Sequence, residues 1–183
     1  MESILGKEHD MVMHALIPYD LGGSLDLYYY PNGIKGTGIA TKELSNACRT
    51  SSSNNTYKKY EFVMFTKHEI NLDDTKNLDT DFGKTHNIFA QILNSISRYS
   101  EQATLNPNET CEFPQDFEGI GGKCLLFIDY AQSTNKSFGM MLIMEVFRSE
   151  MEFARTNGTA QLIQIFKKQG VYPYSDIQRD KVE

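Results

Sequence analysis

Residues Gly139–Gly170 have the sequence GMMLIMEVFRSEMEFARTNGTAQLIQIFKKQG, which contains the strongest fold signals in the chain. Its first third is almost continuously apolar, which predicts a strand buried on both faces. The next residues match a capping box. In this motif the Ser149 hydroxyl accepts a hydrogen bond from the Glu152 backbone N–H, and the Glu152 carboxylate accepts one from the Ser149 backbone N–H. Gly158 then stands where a helix commonly ends in a left-handed residue. The stretch therefore predicts a buried strand that leads into two short helices.

Apolar residues on both faces predict further strands upstream of this stretch. Lys59–Ile70 alternates two apolar faces, which favours a central place in the sheet. Lys123–Tyr130 also has apolar residues on both faces. Phe138–Phe147 is expected to pair with it as a hairpin across a polar turn, Ala131–Ser137. Shorter strands are predicted at Val12–Ile17, Ser24–Tyr30 and Gly36–Thr41.

One long segment between these strands has helical periodicity. In the helix predicted from Gly83 to Ala103, a stripe of apolar residues faces a core. Residues 1–10 are polar and are expected to be loosely held, and Ser45–Thr56 is predicted to be a polar loop without a core residue. The helical stripe consists of Phe89, Ile92, Leu93, Ile96 and Tyr99.

The order of the elements defines the fold class. Strands followed by a helix, more strands and two helices predict an α+β fold, with a mostly antiparallel sheet packed against helices. The 183 residues suit a single domain, which we expect to span 1–183 with its core at about 12–179. No internal repeat or linker divides the sequence.

Charge and cysteine content narrow the class of protein. A formal net charge of −6 disfavours nucleic-acid binding, which needs clustered Lys and Arg, and suits a basic protein partner. Cys48, Cys111 and Cys124 cannot all pair within one chain, the N-terminus lacks the pattern of a secretory signal, and no apolar run is long enough to cross a bilayer. We therefore expect a cytoplasmic protein that does not bind membranes.

Residue types that bind metals or phosphates are present but are not clustered. No Cys-x-x-Cys or His-x-x-x-His pattern occurs, and the glycine groups at 36–38 and 119–122 lack the strand–loop–helix context of a phosphate site. These glycines predict turns instead. The sequence thus predicts neither a metal site nor a cofactor. The scattered histidines are His9, His14, His68 and His86.

One local polar cluster has catalytic residue types, namely Glu109, Cys111 and Glu112. To act as a nucleophile, Cys111 would need a base, for which His68 and His86 are the candidates. The flanking carboxylates oppose this role because negative neighbours raise the pKa of a thiol. An inert, half-buried thiol is the simpler interpretation. A small hydrolase-like enzyme that uses this loop with an arginine stays open as the alternative function.

Arg148 and Tyr99 complete the set of candidate residues. Arg148 lies at the predicted junction of strand and helix, where we expect it to hold a carboxylate of the Glu109–Glu112 loop; in the alternative enzyme it is the arginine beside that loop. Tyr99 is one of many tyrosines, whose large rigid rings suit a protein contact surface. Arg148, Glu109, Glu112 and Tyr99 together form a candidate partner-binding or structural polar cluster.

Five blocks of the sequence resemble the suppressor of fused-like domain. The most specific are the Asn-Pro-Asn-Glu-Thr and Arg-Ser-Glu-Met-Glu-Phe blocks, and the likeness spans roughly Leu25 to Arg179. The five blocks are Tyr60–Thr66, Ser97–Tyr99, Leu105–Glu112, Val146–Ala154 and Tyr172–Asp176.

The resemblance implies an α+β binding domain without catalytic activity. Animal members of the family sequester a transcription factor, a peptide of which is held as an extra strand. Bacterial single-domain members are proposed to be immunity proteins that neutralise a toxin. Because this sequence resembles one domain where animal members have two, the resemblance implies the bacterial type, with a basic toxin as the leading partner.

Overall fold

The computed structural model describes residues 1–45, 54–132, 137–176 and 178–182, in which seven strands pair into one sheet. The strands are β1 (Val12–Met13), β2 (Leu27–Tyr30), β3 (Thr37–Ala40), β4 (Lys59–Thr66), β5 (Thr110–Glu112), β6 (Cys124–Gln132) and β7 (Phe138–Val146). The helices are α1 (Glu2–Leu5), α2 (Asp81–Ser100), α3 (Arg148–Asn157) and α4 (Thr159–Lys168), with a 3-10 turn at Tyr19–Leu21. Cys48 and parts of the two predicted loops, Ser45–Thr56 and Ala131–Ser137, lie outside the described residues.

The strands lie in the order β1-β2-β3-β4-β7-β6-β5. β4 pairs in parallel with β7, and the other five pairings are antiparallel. The predicted α+β class with a mostly antiparallel sheet is thus confirmed, as are the hairpin of β6 with β7 and the central place of β4. Every residue of β4 after Lys59 and of β7 after Phe138 is buried, as their apolar sequences require.

Helices cover both faces of the sheet. On one face, α2 packs against alternate residues of β4 and β6, such as Phe62 and Phe127. On the other face, α3 and α4 pack against the residues between them, such as Val63 and Leu126. Because successive side chains of a strand point to opposite faces, the two cores are separated by the sheet itself.

The predicted helix is present as α2, with one correction at its end. The Thr80 hydroxyl caps it by accepting a hydrogen bond from the Gly83 N–H at 3.1 Å. Phe89 and Ile96 are buried as expected, but Tyr99 is 49% exposed, so its predicted place in the core was wrong. Tyr99 lies in the last turn of the helix, where it lines a surface groove instead of the sheet.

The N-terminal segment is more ordered than its polar sequence predicts. Leu5 of α1 is 1% exposed and belongs to the core on the α3–α4 side, so the loosely held segment expected at residues 1–10 was wrong. The His9 N–H donates to the Tyr29 carbonyl oxygen at 2.8 Å, and the Tyr30 hydroxyl donates to Glu8 at 2.7 Å. Elsewhere β1, β2 and β4 are shorter than predicted, and β6 runs on through a bulge to Gln132.

The start of α3 lies two residues before the position that the predicted capping box gives it. The helix begins at Arg148, so Phe147 takes the capping position, and Ser149 lies exposed in the first turn. The carboxylate that accepts from the Phe147 N–H, at 2.9 Å, belongs to Glu150. The predicted bond from Glu152 was wrong because Glu152 points to solvent on another side of the helix.

The buried Glu150 carboxylate also anchors the C-terminal segment. Arg179 donates to its two oxygens at 2.7 and 2.8 Å, and the Val182 N–H donates at 2.9 Å. The Arg179 guanidinium lies 4.9 Å from the centre of the Phe147 ring and 5.3 Å from that of the Phe166 ring. Such a buried, bidentate pair is costly to break, since the remaining charge is left without its partner.

We expect Glu150→Ala to lower the free energy of unfolding by about 3 kcal/mol, because it leaves the Arg179 guanidinium uncompensated in an apolar site. Glu152→Ala, on the exposed side of the same helix, is expected to change it by less than about 0.5 kcal/mol. Urea unfolding followed by circular dichroism measures both variants. Equal losses would contradict the assignment of Glu150 as the anchor.

Candidate functional site

A groove of about 780 Å³ runs between the second half of α2, the turn at residues 22–24 and the end of β5. We call it the β5 groove. It is formed by three segments that are far apart in the sequence and that meet because α2 lies across this face of the sheet. Its lining includes Gly23, Tyr99, Cys111, Glu112, Phe113 and Phe117.

Arg98 fixes the turn that forms one wall of the β5 groove. Its Nη2 donates to the carbonyl oxygens of Tyr19, at 2.7 Å, and of Gly23. Its Nη1 donates to Glu101 at 2.8 Å, and the guanidinium lies 3.7 Å from the centre of the Tyr19 ring. The guanidinium is therefore occupied within the chain. Arg98 gives the groove its shape and leaves it no free positive charge.

Aromatic side chains form the apolar wall of the groove. The rings of Phe113 and Phe117 pack 5.3 Å apart. Phe113 is buried, whereas Phe117 is 44% and Tyr99 is 49% exposed. Partly exposed rings beside a buried one are typical of surfaces that contact proteins. Phe113 and Phe117 were not predicted from the sequence as site residues. The signal that could have identified them is the presence of two aromatic residues in a segment whose composition is otherwise that of a loop.

β5 is an edge strand, and its residues Cys111 and Glu112 line the groove. The Glu109 oxygen accepts a bond from β6, and the Phe113 N–H donates toward the start of β6, each at 3.0 Å. Because backbone direction alternates along a strand, the N–H and C=O groups of Thr110 and Glu112 point away from β6. They form a rim with which a further strand can pair.

The four candidate residues from the sequence do not form one cluster. Arg148 donates to both carboxylate oxygens of Glu112, one of them at 3.1 Å. Glu109 instead accepts from the backbone and side-chain amides of Asn106, both at 2.9 Å. Tyr99 lines the same groove as Glu112. The structure thus brings Tyr99 and Glu112 to one groove, ties Arg148 to its rim and places Glu109 in a neighbouring turn.

Cys111 lines the groove, where neither of the two candidate bases lies. Burial raises the pKa of the Cys111 thiol, which lowers its thiolate fraction. His86, one of the two candidate bases, is buried with its Nε2 at 2.8 Å from the Tyr29 hydroxyl, and burial lowers the pKa of its imidazole. Neither His86 nor His68 is among the residues that line the groove. This geometry does not favour nucleophilic catalysis.

Other carboxylates are buried as structural anchors. Glu61 accepts from the Thr41 hydroxyl at 2.6 Å and from the Ser45 N–H at 2.8 Å, and Glu145 pairs with Lys123. Within the described residues, no group of three or more His, Cys, Asp or Glu side chains is placed to hold a metal ion. No helix in this part of the chain is long and apolar enough to cross a membrane.

These features define a single sheet with helices on both faces and an aromatic groove at one edge. Solved structures of suppressor of fused proteins share this architecture, and the chain has the suppressor of fused fold, as the sequence resemblance predicted. A chain of the Sufu–Fu complex crystal structure superposes with a TM-score of 0.60 at 14% identity, over 98% of this chain and 86% of that one. No protein-family model and no curated protein sequence matches significantly.

Two further structures extend this likeness. Drosophila Suppressor of Fused has a TM-score of 0.54 at 17% identity, over 84% of this chain and 41% of that one. This chain therefore spans less than half the length of the Drosophila protein. A putative SUFU homolog from Neisseria gonorrhoeae FA 1090 has a TM-score of 0.56 at 10% identity, over 98% of this chain and 91% of that one.

We expect Cys111 to be alkylated slowly by iodoacetamide, because its raised pKa reduces the reactive thiolate at a given pH. Mass spectrometry of the Cys111 peptide gives the rate as a function of pH. Its midpoint should lie above that of a free cysteine, about 8.5. The urea-unfolded chain is the control, since its thiol is solvated. A folded-state midpoint below the unfolded one would contradict this expectation and favour the alternative enzyme.

Proposed function

We propose that the chain is a non-enzymatic protein-binding domain, and that the β5 groove holds an extended segment of its partner. The observation that carries this proposal is an edge strand whose outward backbone groups lie beside an aromatic groove. An extended peptide added to such an edge gains main-chain hydrogen bonds, and its alternate side chains enter neighbouring pockets.

The groove supplies both parts of this recognition. Thr110 and Glu112 offer backbone donors and acceptors to a segment that runs along β5. Tyr99, Phe113 and Phe117 offer an apolar surface for the side chains of that segment. The Arg148–Glu112 pair closes the rim at the start of α3, so it orients the strand end and is not itself the source of affinity.

The partner that fits best is a basic protein. A net charge of −6 attracts a basic surface and speeds its association. In the Sufu–Fu complex, a protein of the same fold has a protein partner, which supports a protein ligand here. We propose specifically that the chain is a cytoplasmic immunity protein and that its partner is a basic toxin. The SUFU homolog from Neisseria gonorrhoeae, 91% of whose chain is covered by the match, supports a bacterial role.

The alternative function is a small hydrolase-like enzyme that uses Glu109, Cys111 and Glu112 with Arg148. Its four groups are divided between a groove and a neighbouring turn, since Glu109 bonds Asn106. The Arg148 guanidinium is committed to Glu112, and burial raises the pKa of the thiol. The protein-binding function requires none of these groups to be activated, so it accounts for the groove more simply.

The binding proposal is tested by affinity capture from the native lysate with matched variants. Phe117→Asp is expected to reduce recovery of the partner at least about tenfold, because it places a charge where an aromatic anchor is desolvated. Leu78→Asp changes a leucine that is 55% exposed outside the groove, and it should recover the partner as the parent does. Circular dichroism confirms that both variants are folded.

Two outcomes distinguish the protein-binding function from the more specific immunity role. Undiminished capture by Phe117→Asp would contradict the β5 groove as the binding site. If capture depends on Phe117 but the partner does not impair growth when expressed alone, the protein-binding function stands and the immunity role fails. Immunity requires a partner that is toxic alone and harmless when this chain is co-expressed.

A further inference from the structure

The side chains of β5 alternate between the two faces of the sheet, and the chemistry differs between these faces. Cys111 lies opposite Leu125 and packs with the core on the α2 side, where the aromatic wall of the β5 groove lies. Thr110 and Glu112 lie opposite residues that belong to the core on the α3–α4 side. Because paired residues of neighbouring strands share a face, the side chains of Thr110 and Glu112 lie on the α3 side of β5.

Two arginines of α3 hold these two side chains. Arg148 donates to both carboxylate oxygens of Glu112, and Arg155 Nε donates to the Thr110 hydroxyl at 2.9 Å. The two arginines are seven residues apart, which is nearly two helical turns, so they lie on the same side of α3. This side of the helix therefore lies along the edge of the sheet at β5.

Arg155 differs from Arg148 in what its guanidinium has left to bind. The Arg148 guanidinium is committed to Glu112. Arg155 is exposed, and its bond to Thr110 uses only Nε, so its two Nη groups can still donate. None of the ion pairs among the described residues includes Arg155. A planar guanidinium with available Nη groups matches the geometry of a carboxylate.

We propose that Arg155 binds an acidic side chain of the segment that pairs with β5, and that this segment alternates apolar and acidic residues. This inference rests on the proposed function, because it requires a strand at the outer edge of β5. In that strand, the residue opposite Thr110 has its Cβ about 5 Å from the Thr110 Cβ, on the face where Arg155 lies. The next residue points to the other face, toward Phe113 and Phe117.

Charge selects the side chain on the α3 face. A lysine or arginine opposite Thr110 would meet the Arg155 cation with no compensating carboxylate, since Glu112 is already paired with Arg148. An aspartate or glutamate would accept from the available Nη groups. A basic partner protein is compatible with this preference. Its net charge acts on the approach of the two proteins, whereas Arg155 acts at contact distance on one side chain.

Selection from a phage-displayed library of random peptides tests the pattern, with the complete chain as the bait. The peptides are about ten residues long, since strands have three to ten residues. Those that bind the parent chain but not Phe117→Asp occupy the β5 groove. They should be enriched in sequences that place aspartate or glutamate between two apolar residues.

Fluorescence polarisation then measures the affinity of one selected peptide for matched variants. Arg155→Glu should weaken binding at least about tenfold, because two like charges then meet. Arg155→Lys should weaken it less, since it keeps the charge but loses the planar fork. Lys168→Glu makes the same change of charge at an exposed lysine of α4 and should bind as the parent does. A peptide whose acidic residue is replaced by lysine should bind Arg155→Glu more tightly than it binds the parent.

The exchange of charges separates recognition from a structural role of Arg155, because a variant with a damaged fold would not gain affinity for the lysine peptide. Circular dichroism checks that each variant is folded. Selected peptides without an acidic preference would overturn the role of Arg155 and leave the protein-binding function standing. Equal losses in Arg155→Glu and Lys168→Glu, or no gain with the lysine peptide, would also overturn it. If no selected peptide depends on Phe117, the β5 groove fails as the binding site and this inference fails with it.

Discussion

The parallel pairing of β4 with β7 determines where the other strands and the helices lie. The two strands are neighbours in space, with Phe62 opposite Met141 and Val63 opposite Leu142, but about 70 residues of chain separate them. Parallel neighbours require a crossover, and this one carries α2 over one face and adds β5 and β6 beyond β7. The helices that follow β7 then have to cover the other face. The β5 groove lies on the side of α2 because this crossover places the helix there.

The blocks that resemble the suppressor of fused family serve mainly to hold this arrangement together. Glu150 of the Arg-Ser-Glu-Met-Glu-Phe block caps α3 and binds Arg179. In the C-terminal block, Asp176 accepts from the Thr66 hydroxyl at 2.6 Å, which ties the chain end to β4. Arg98 holds the turn at Gly23. These contacts explain why the blocks identify the fold. The β5 groove is lined partly by residues of two blocks, such as Tyr99 and Glu112, and partly by Phe113 and Phe117, which lie outside the blocks.

Most of the framework could be predicted from the sequence, because the relevant signals are local. Continuous apolar runs predicted β4, β6 and β7, and a 3.6-residue period of apolar residues predicted α2. The start of α3 was misplaced because Glu150 is fixed by Arg179, 29 residues further on, and no local pattern contains that contact. The β5 groove was missed for the same reason. Its walls come from residues near 22, 98 and 113, and only the assembled sheet brings them together.

In the proposed function, a segment of the partner pairs with the outer edge of β5. Amide hydrogen exchange of the free chain and of its complex with the captured partner tests this most directly. In the free chain the Thr110 and Glu112 amides point away from β6 and should exchange quickly, as unpaired edge amides do. In the complex both should become strongly protected, while the amides of Val12 and Met13 at the opposite edge change little. A complex in which the exchange of the Thr110 and Glu112 amides is unchanged would contradict pairing at the edge of β5.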